Sequence, residues 1–325
     1  MKTRKLGNSD LELTVIGFGA WAIGGSGWAF AWGEQDDKES IEAIHAALDN
    51  GVNWIDTAHV YGFGHSEEVV GKALAGRRDK VLVATKCGLL PSPDGQPRAE
   101  LSAKSVREEL EGSLRRLQTD VIDLYQIHWP NPEAQIEEAW EEIGKAMDEG
   151  KIRAAGVSNF NAAQLERAHK IRPVSSLQPP YSMLRRAIED DGGPMEWCHA
   201  HNAGIVAYSP MLSGMLTGKV TKEWVASRPD DDWRKRTKEY QEPNLSINID
   251  FVENTLRPIA NEHGVQPGQI AVAWTLRGDL ITSAIVGGRN RRQVEETARA
   301  ADITLSQREL DAIEDGLKAR AAKLG

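Results

Sequence analysis

Cysteine is scarce: the 325 residues hold two, Cys87 and Cys198. Two thiols cannot build a disulfide framework, and they suit a reducing compartment. Positive charge is also short, with 39 Lys and Arg against 48 Asp and Glu and a net charge of −9. That balance disfavours a nucleic-acid binder, because no broad basic patch offsets phosphate repulsion. The short runs Arg115-Arg116 and Arg234-Lys235-Arg236 read as solvated faces. Long apolar runs are missing. No stretch approaches a membrane span, and Met1-Lys-Thr-Arg-Lys leads into mixed polar sequence rather than the apolar core of a secretion signal. The expectation is a soluble, cytoplasmic protein with a substantial core.

What the chain does have is a repeated alternation. Apolar segments at Val15–Gly19, Val52–Ile55, Val81–Thr85, Val121–His128, Ile152–Val157, Ser175–Gln178, Gly204–Tyr208 and Thr282–Val286 read as strands. Amphipathic stretches lie between them, including Ser102–Leu117, Ile136–Glu149, Asn161–Lys170, Pro194–His201, Phe251–His263 and Arg291–Ala301. Gln266 to Leu276 and a tail from Ser306 read as extra helices, and residues 3 to 14 as a hairpin. Continuous apolar strands separated by helices indicate a helix-covered parallel sheet. Eight such units fit a closed (β/α)8 TIM barrel, a single domain over residues 1–325 with its site at the strands' C-terminal ends. Residues 209–250 are long for a connection, as functional lids and binding loops often are.

Four polar residues leave three of these strands at that end: Asp56, Tyr61 on the loop after it, Lys86 and His128. Singly each has a plain reading, as turn, loop packing, solvated charge or satisfied core group. Together they supply what carbonyl reduction needs. A phenol with pKa near 10 is a poor proton shuttle at pH 7. A neighbouring ammonium held by a carboxylate is expected to lower it, and an imidazole can orient the substrate oxygen. Ser66-Glu67-Glu68 reads as a helix start, with Ser66 as the cap.

Other motifs carry less. Gly17-Phe-Gly19-Ala-Trp-Ala22 loosely matches a dinucleotide fingerprint, but Ile-Gly-Gly-Ser-Gly follows where a helix should open, so close backbone approach at a strand end fits better. Cys198-His199-Ala-His201 lacks metal-site spacing, and no metal is expected. Cys87 reads as strand-end packing rather than a nucleophile.

The chain also resembles the aldo-keto reductases along essentially its whole length. The resemblance rests on Trp54-Ile-Asp56-Thr-Ala-His-Val-Tyr61-Gly, Thr85-Lys86, Gln126-Ile-His128, Gly156-Val-Ser-Asn-Phe160, Gln178-Pro-Pro-Tyr181-Ser, Ala207-Tyr-Ser-Pro-Met211, Leu216-Thr-Gly-Lys219 and Val286-Gly-Gly-Arg289. It is similar above all to the bacterial and potassium-channel β-subunit-like branch. The resemblance implies a barrel whose floor is closed by the N-terminal hairpin, and metal-free reduction of an aldehyde or ketone by NADPH. In it Tyr61 is the general acid, Lys86 and Asp56 tune it, and His128 orients the carbonyl. Ser158, Asn159 and Gln178 would bond the nicotinamide carboxamide, and Tyr208 would stack on the ring to expose its pro-R hydrogen. Gly19, Trp21 and Gly287 would border the cofactor, while Ser209, Met211, Ser213 and Lys219 would wrap the pyrophosphate. Arg289 would face the 2′-phosphate, with Gln293, Glu296 and Thr297 near the adenine; Thr297 stands where the family usually has Asn, and Gly288 where a slightly larger residue is common. The basic run Arg289 to Arg292 favours NADPH over NADH.

Trp21, Trp28, Trp32, Phe63, Trp129 and Trp233 fall on loops at the active end and suggest an aromatic-walled pocket for aryl, sugar-like or cyclic carbonyl compounds. The oligomeric state is open. A second reading of the resemblance is a cofactor-binding, redox-sensing regulatory subunit with slow turnover.

Overall fold

The computed structural model describes residues 1–229 and 232–324. Asp230 and Asp231, inside the long connection expected at 209–250, lie outside the described residues.

The chain opens with an antiparallel hairpin, β1 (Thr3–Lys5) and β2 (Glu12–Thr14), paired Thr3 to Thr14. Then come β3 (Ile16–Gly19), α1 (Asp37–Asp49), β4 (Trp54–Asp56), α2 (His65–Ala73), β5 (Leu82–Cys87), a second hairpin of β6 (Leu89–Pro91) and β7 (Pro97–Ala99), and α3 (Ala103–Leu117). β8 (Ile122–Ile127), α4 (Ile136–Asp148), β9 (Ile152–Ser158), α5 (Ala162–Ile171), β10 (Ser176–Gln178), α6 (Pro194–Ala200) and β11 (Gly204–Tyr208) follow. The last part holds α7 (Lys222–Ala226), α8 (Asn244–Phe251), α9 (Arg257–Glu262), α10 (Pro267–Thr275), β12 (Ser283–Gly287), α11 (Arg291–Ala298) and α12 (Gln307–Leu324).

β10-β11-β12-β3-β4-β5-β8-β9 close into a parallel barrel, the expected (β/α)8 architecture. The helices start where the sequence offers caps. Asp36 accepts from the amides of Lys38 and Glu39, Ser102 from Ser105, and Asn161 makes a reciprocal capping box with Gln164. The largest apolar cluster lies between barrel and helices. A smaller one fills the barrel floor, where Leu6, Leu11 and Leu13 of the hairpin meet Trp54, Leu124 and Val206. Gly17 has no freedom there: a Cβ on it would stand 2.0 Å from the Trp54 ring.

Three local expectations change. Ser66 does not cap α2; Gly64 does, with a left-handed backbone, and the Ser66 hydroxyl instead joins Thr57 (2.9 Å) and the carbonyl of Ala20 (2.9 Å). The helix expected at Phe251–His263 starts earlier, as α8, and passes into α9 through a π turn at Val252–Leu256. The hairpin β6–β7 falls where no strand is read from the sequence, because Leu89–Ala99 is short and carries three prolines. The 209–250 connection also carries more regular structure than a loop: α7, short 3-10 turns and the start of α8.

Candidate active site

β4, β5 and β8 are neighbours in the barrel, which brings their C-terminal ends together. Asp56 ends β4, Lys86 is the penultimate residue of β5, and His128 follows β8 directly. The loop after β4 folds back through a tight turn at Tyr61–Gly64 and returns Tyr61 over the lysine. Lys86 Nζ donates to Asp56 Oδ1 (2.6 Å), to the carbonyl of Thr57 (2.8 Å) and to Tyr61 Oη (3.4 Å). Its side chain and that of Asp56 are sealed from solvent. The His128 ring meets Tyr61 edge-on at 5.8 Å, and among the described residues nothing hydrogen-bonds its imidazole.

Burial sets the protonation of this cluster. It pushes the Tyr61 phenol well above its ordinary 10, with Asp56 and Tyr208 adding to the shift. This reverses the lowering expected from Lys86. The ammonium is directed mainly at Asp56, so desolvation outweighs its pull on a phenol 3.4 Å away. Lys86 itself is drawn below 10.5 by burial, while Asp56 and Glu67 act against the change. Burial, then the charge of Lys86, holds His128 well below 6.5. What exposure Tyr61 and His128 keep is to a cavity they both line. At neutral pH that cavity therefore meets a neutral phenol and a neutral imidazole.

The cavity measures about 570 Å³, ample for a small organic ligand beside part of a larger one. On one side it is walled by Trp21, Trp28, Phe30, Trp32 and Trp129, with Leu89 and Pro97 of the β6–β7 hairpin. Trp28 is buried and Trp129 is 45% exposed. Two of the tryptophan-pocket residues are placed otherwise than expected. Phe63 packs behind Trp28 at 6.4 Å and does not line the cavity, because the turn at Gly62 directs it outward from Tyr61. Trp233 is also outside the lining; it stacks on Trp21 at 5.4 Å and meets Trp32 at 5.7 Å, bracing both from behind. Sequence reasoning missed Phe30, Leu89 and Trp224 as lining residues. Arg234, held by Asp232 (2.9 and 2.6 Å), lies over the rings of Trp32 and Trp224 at 4.8 and 4.9 Å.

A sequence model of the aldo/keto reductase family matches residues 15–318. The chain belongs to this family. It is 38% identical to aldo-keto reductase YhdN of Bacillus subtilis, over 94% of this chain and 90% of the relative. It is 34% identical to the NADH-specific methylglyoxal reductase of Escherichia coli, over 94% and 95% of the two chains. Among solved structures it is similar to the glycerol dehydrogenase AKR11B4 from Gluconobacter oxydans, with TM-score 0.88, 37% identity and coverage of 98% and 96%. It is thus an oxidoreductase by family, of a kind that uses nicotinamide cofactors.

The residues expected to hold that cofactor in this aldo-keto reductase line the other arm of the cavity. They include Gly19, Ser158, Asn159, Gln178 and Tyr208 near the tetrad. Ser209, Met211, Ser213, Lys219, Gly287, Arg289, Gln293, Glu296 and Thr297 line the cavity as well. Several are already engaged. Gln178 Nε2 donates to Asp56 Oδ2 (2.8 Å), which leaves the amide oxygen as its outward-facing function. Asn159 donates to the carbonyl of His128 (3.0 Å) and to Ser158 Oγ (2.9 Å) and accepts from Tyr208 Oη (2.9 Å), so its amide is nearly saturated. Lys219 pairs with Glu296 at 3.0 Å.

Two features fit a dinucleotide. After β11 the backbone turns left-handed at Ser209, Leu212, Ser213 and Gly214, and Tyr240 Oη and Thr217 Oγ1 bond the carbonyls of Ser213 and Gly214 to hold it so. Such geometry costs about 1–3 kcal/mol per non-glycine residue and persists where function requires it. Arg289 reaches across the groove to the segment before α1: Nε donates to Gln35 Oε1 (2.6 Å), Nη1 to the Trp32 carbonyl (3.3 Å) and Nη2 to the Glu34 carbonyl. Two of its five N–H groups remain for a ligand.

Cys87 is buried and its thiol is pushed up by that burial, which makes it a packing residue. In the Cys198-His199-Ala-His201 run the side chains diverge: His201 stacks on Trp197 at 4.2 Å and His199 meets the Leu280 carbonyl. Among the described residues no group of three His, Cys, Asp or Glu is placed to hold a metal ion, and no helix is long and apolar enough to cross a membrane.

Proposed function

We propose that this chain reduces the carbonyl of an aryl, sugar-like or cyclic aldehyde or ketone to the alcohol, with NADPH as reductant and Tyr61 as the acid. The observation that carries the reading is the Lys86 ammonium, bonded to Asp56 at 2.6 Å and to the Tyr61 hydroxyl at 3.4 Å, beside an imidazole that nothing among the described residues hydrogen-bonds. When bound, the cofactor supplies a hydride to the carbonyl carbon. Tyr61 gives its proton to the carbonyl oxygen, which accepts a hydrogen bond from neutral His128 meanwhile. The phenolate left behind faces Lys86, whose charge stabilises it until a proton returns from solvent. Burial keeps the phenol protonated at rest but makes it a weaker acid, so the step leans on the Lys86 charge beside it to stabilise the phenolate. The packed tryptophans limit water near the reacting carbon and offer flat faces to a ring.

NADPH is favoured over NADH by Arg289 and its two remaining donors. The relative named as NADH-specific makes this the part most worth testing. Relatives named for glycerol and methylglyoxal make small aliphatic compounds the necessary comparison. The test is oxidation of NADPH followed by absorbance over a carbonyl panel, with wild type and Tyr61→Phe side by side. Turnover of aryl or cyclic carbonyl compounds, reduced about 100-fold or more in Tyr61→Phe, is the expected result. Small aliphatic aldehydes outperforming every cyclic compound would sink the substrate class, and an unimpaired Tyr61→Phe would sink the mechanism.

A further inference from the structure

We infer that Glu109 is the positioning residue of this site: one buried carboxylate holds in mutual register the three segments that carry Tyr61, Lys86 and His128. The inference rests on the functional reading above. Glu109 projects from α3, behind the tetrad, and is 3% exposed. Its oxygens accept from the amide of Gly88 at 3.0 and 3.1 Å, two residues beyond Lys86. They also meet His59 Nδ1 at 3.2 Å, two residues before Tyr61. The carbonyl of that same Cys87–Gly88 peptide accepts from the amide of His128 at 3.0 Å. A single peptide plane is thus gripped at its N–H by Glu109 and at its C=O by the backbone of His128, and Glu109 ties it to the tyrosine loop. Ser105 Oγ steadies the carboxylate from its own helix at 3.2 Å.

Gly88 is left-handed (φ +96°), and a Cβ there would come within 2.7 Å of Leu101, so the chain leaves β5 by a turn that needs an external partner for its N–H. A buried carboxylate is a strong acceptor for a backbone N–H, and removing it would leave the Gly88 amide unsatisfied. The Lys86–Tyr61 hydrogen bond at 3.4 Å is the longest of the three that Lys86 makes, and so the one most exposed to drift in either loop. A misplacement of about 1 Å in reacting groups costs on the order of 100-fold in rate. Glu109 touches neither the cavity nor the reacting atoms; it acts through the frame.

The experiment compares Glu109→Ala and Glu109→Gln with Glu142→Ala, a buried acid on α4 that pairs with Arg107 and Lys145 instead. Full-length protein is assayed for kcat, carbonyl KM, cofactor Kd by fluorescence titration, and Tm. Glu109→Ala is expected to lower kcat about 10- to 100-fold with KM and cofactor Kd within about two-fold. Glu109→Gln, which can still accept from Gly88, should recover much of kcat. Glu142→Ala should lower Tm but not kcat. If Glu109→Ala does not fold, His59→Leu removes one arm only and should lower kcat about 3- to 10-fold. A wild-type kcat in the folded variant, or kcat that merely tracks Tm across all variants, would overturn the inference. Tyr61→Phe runs in parallel: an inactive wild type, or an active Tyr61→Phe, refutes the functional reading instead.

Discussion

At the scale of residues, the candidate site sets an ion pair against two neutral rings. Lys86 and Asp56 are 1% and 2% exposed and would each be costly alone; at 2.6 Å with further hydrogen bonds each offsets part of the other's burial. Tyr61 and His128 are kept neutral by the same burial, the first pushed above 10 and the second below 6.5. Reduction should therefore show a level kcat/KM from pH 6.5 to about pH 8. A limb with its midpoint inside that window would show that the phenol or the imidazole titrates there after all. The same shift acts on stability. The unfolded histidine takes up a proton as pH falls through 6.5 and the folded one does not, so this contribution is present above 6.5 and is lost progressively below it. His128→Gln should make the fall in urea-unfolding stability between pH 6.5 and about pH 5.5 shallower than in wild type.

At the scale of elements, two segments distant in sequence meet over the groove. The stretch before α1 supplies Trp28, Phe30 and Trp32 to the wall and Trp32, Glu34 and Gln35 to Arg289; the loop before α8 supplies Trp233 and Arg234. Arg289→Ala should weaken NADPH by about 10-fold or more while leaving NADH within about two-fold, measured by fluorescence titration with each cofactor. Equal losses would mean that the guanidinium serves only to hold the segment before α1. Trp233→Ala removes the brace behind Trp21 and Trp32 and should raise KM for aryl carbonyl compounds several-fold, about 1 kcal/mol of aromatic contact, with cofactor binding unchanged. These contacts were not legible in the sequence. Gln35 and Arg289 are 254 positions apart, and no spacing rule links a Gln before one helix to an Arg before another. Phe63 shows the same limit. Its place in the chain resembles that of the other pocket aromatics, and the left-handed turn at Gly62 and Phe63 decided which way it faced.

At the scale of the molecule, the candidate site and the hairpin-sealed floor occupy opposite ends of the barrel. The hairpin leucines seal the floor beneath Trp54, and the tetrad lies at the C-terminal mouth. Leu11→Ala should therefore cost about 2–5 kcal/mol of unfolding free energy with kcat essentially intact, measured by chemical denaturation and assay on the same samples. A proportional loss of kcat would show that the two ends are coupled.

The sequence by itself determined the barrel, because amphipathic helical stretches alternate along it with short, mostly apolar strands. It also pointed to the four residues that the barrel brings together, because three of them lie at strand ends and the fourth on the loop after one, and strand ends are read from local pattern. Only the tertiary structure decided how those groups are protonated and held. Burial reversed the expected shift of Tyr61, and Glu109 became visible as a partner of Gly88 and His59 only once α3 was packed behind β5. Desolvation and long-range hydrogen bonds are properties of neighbours in space, and a linear pattern carries neither.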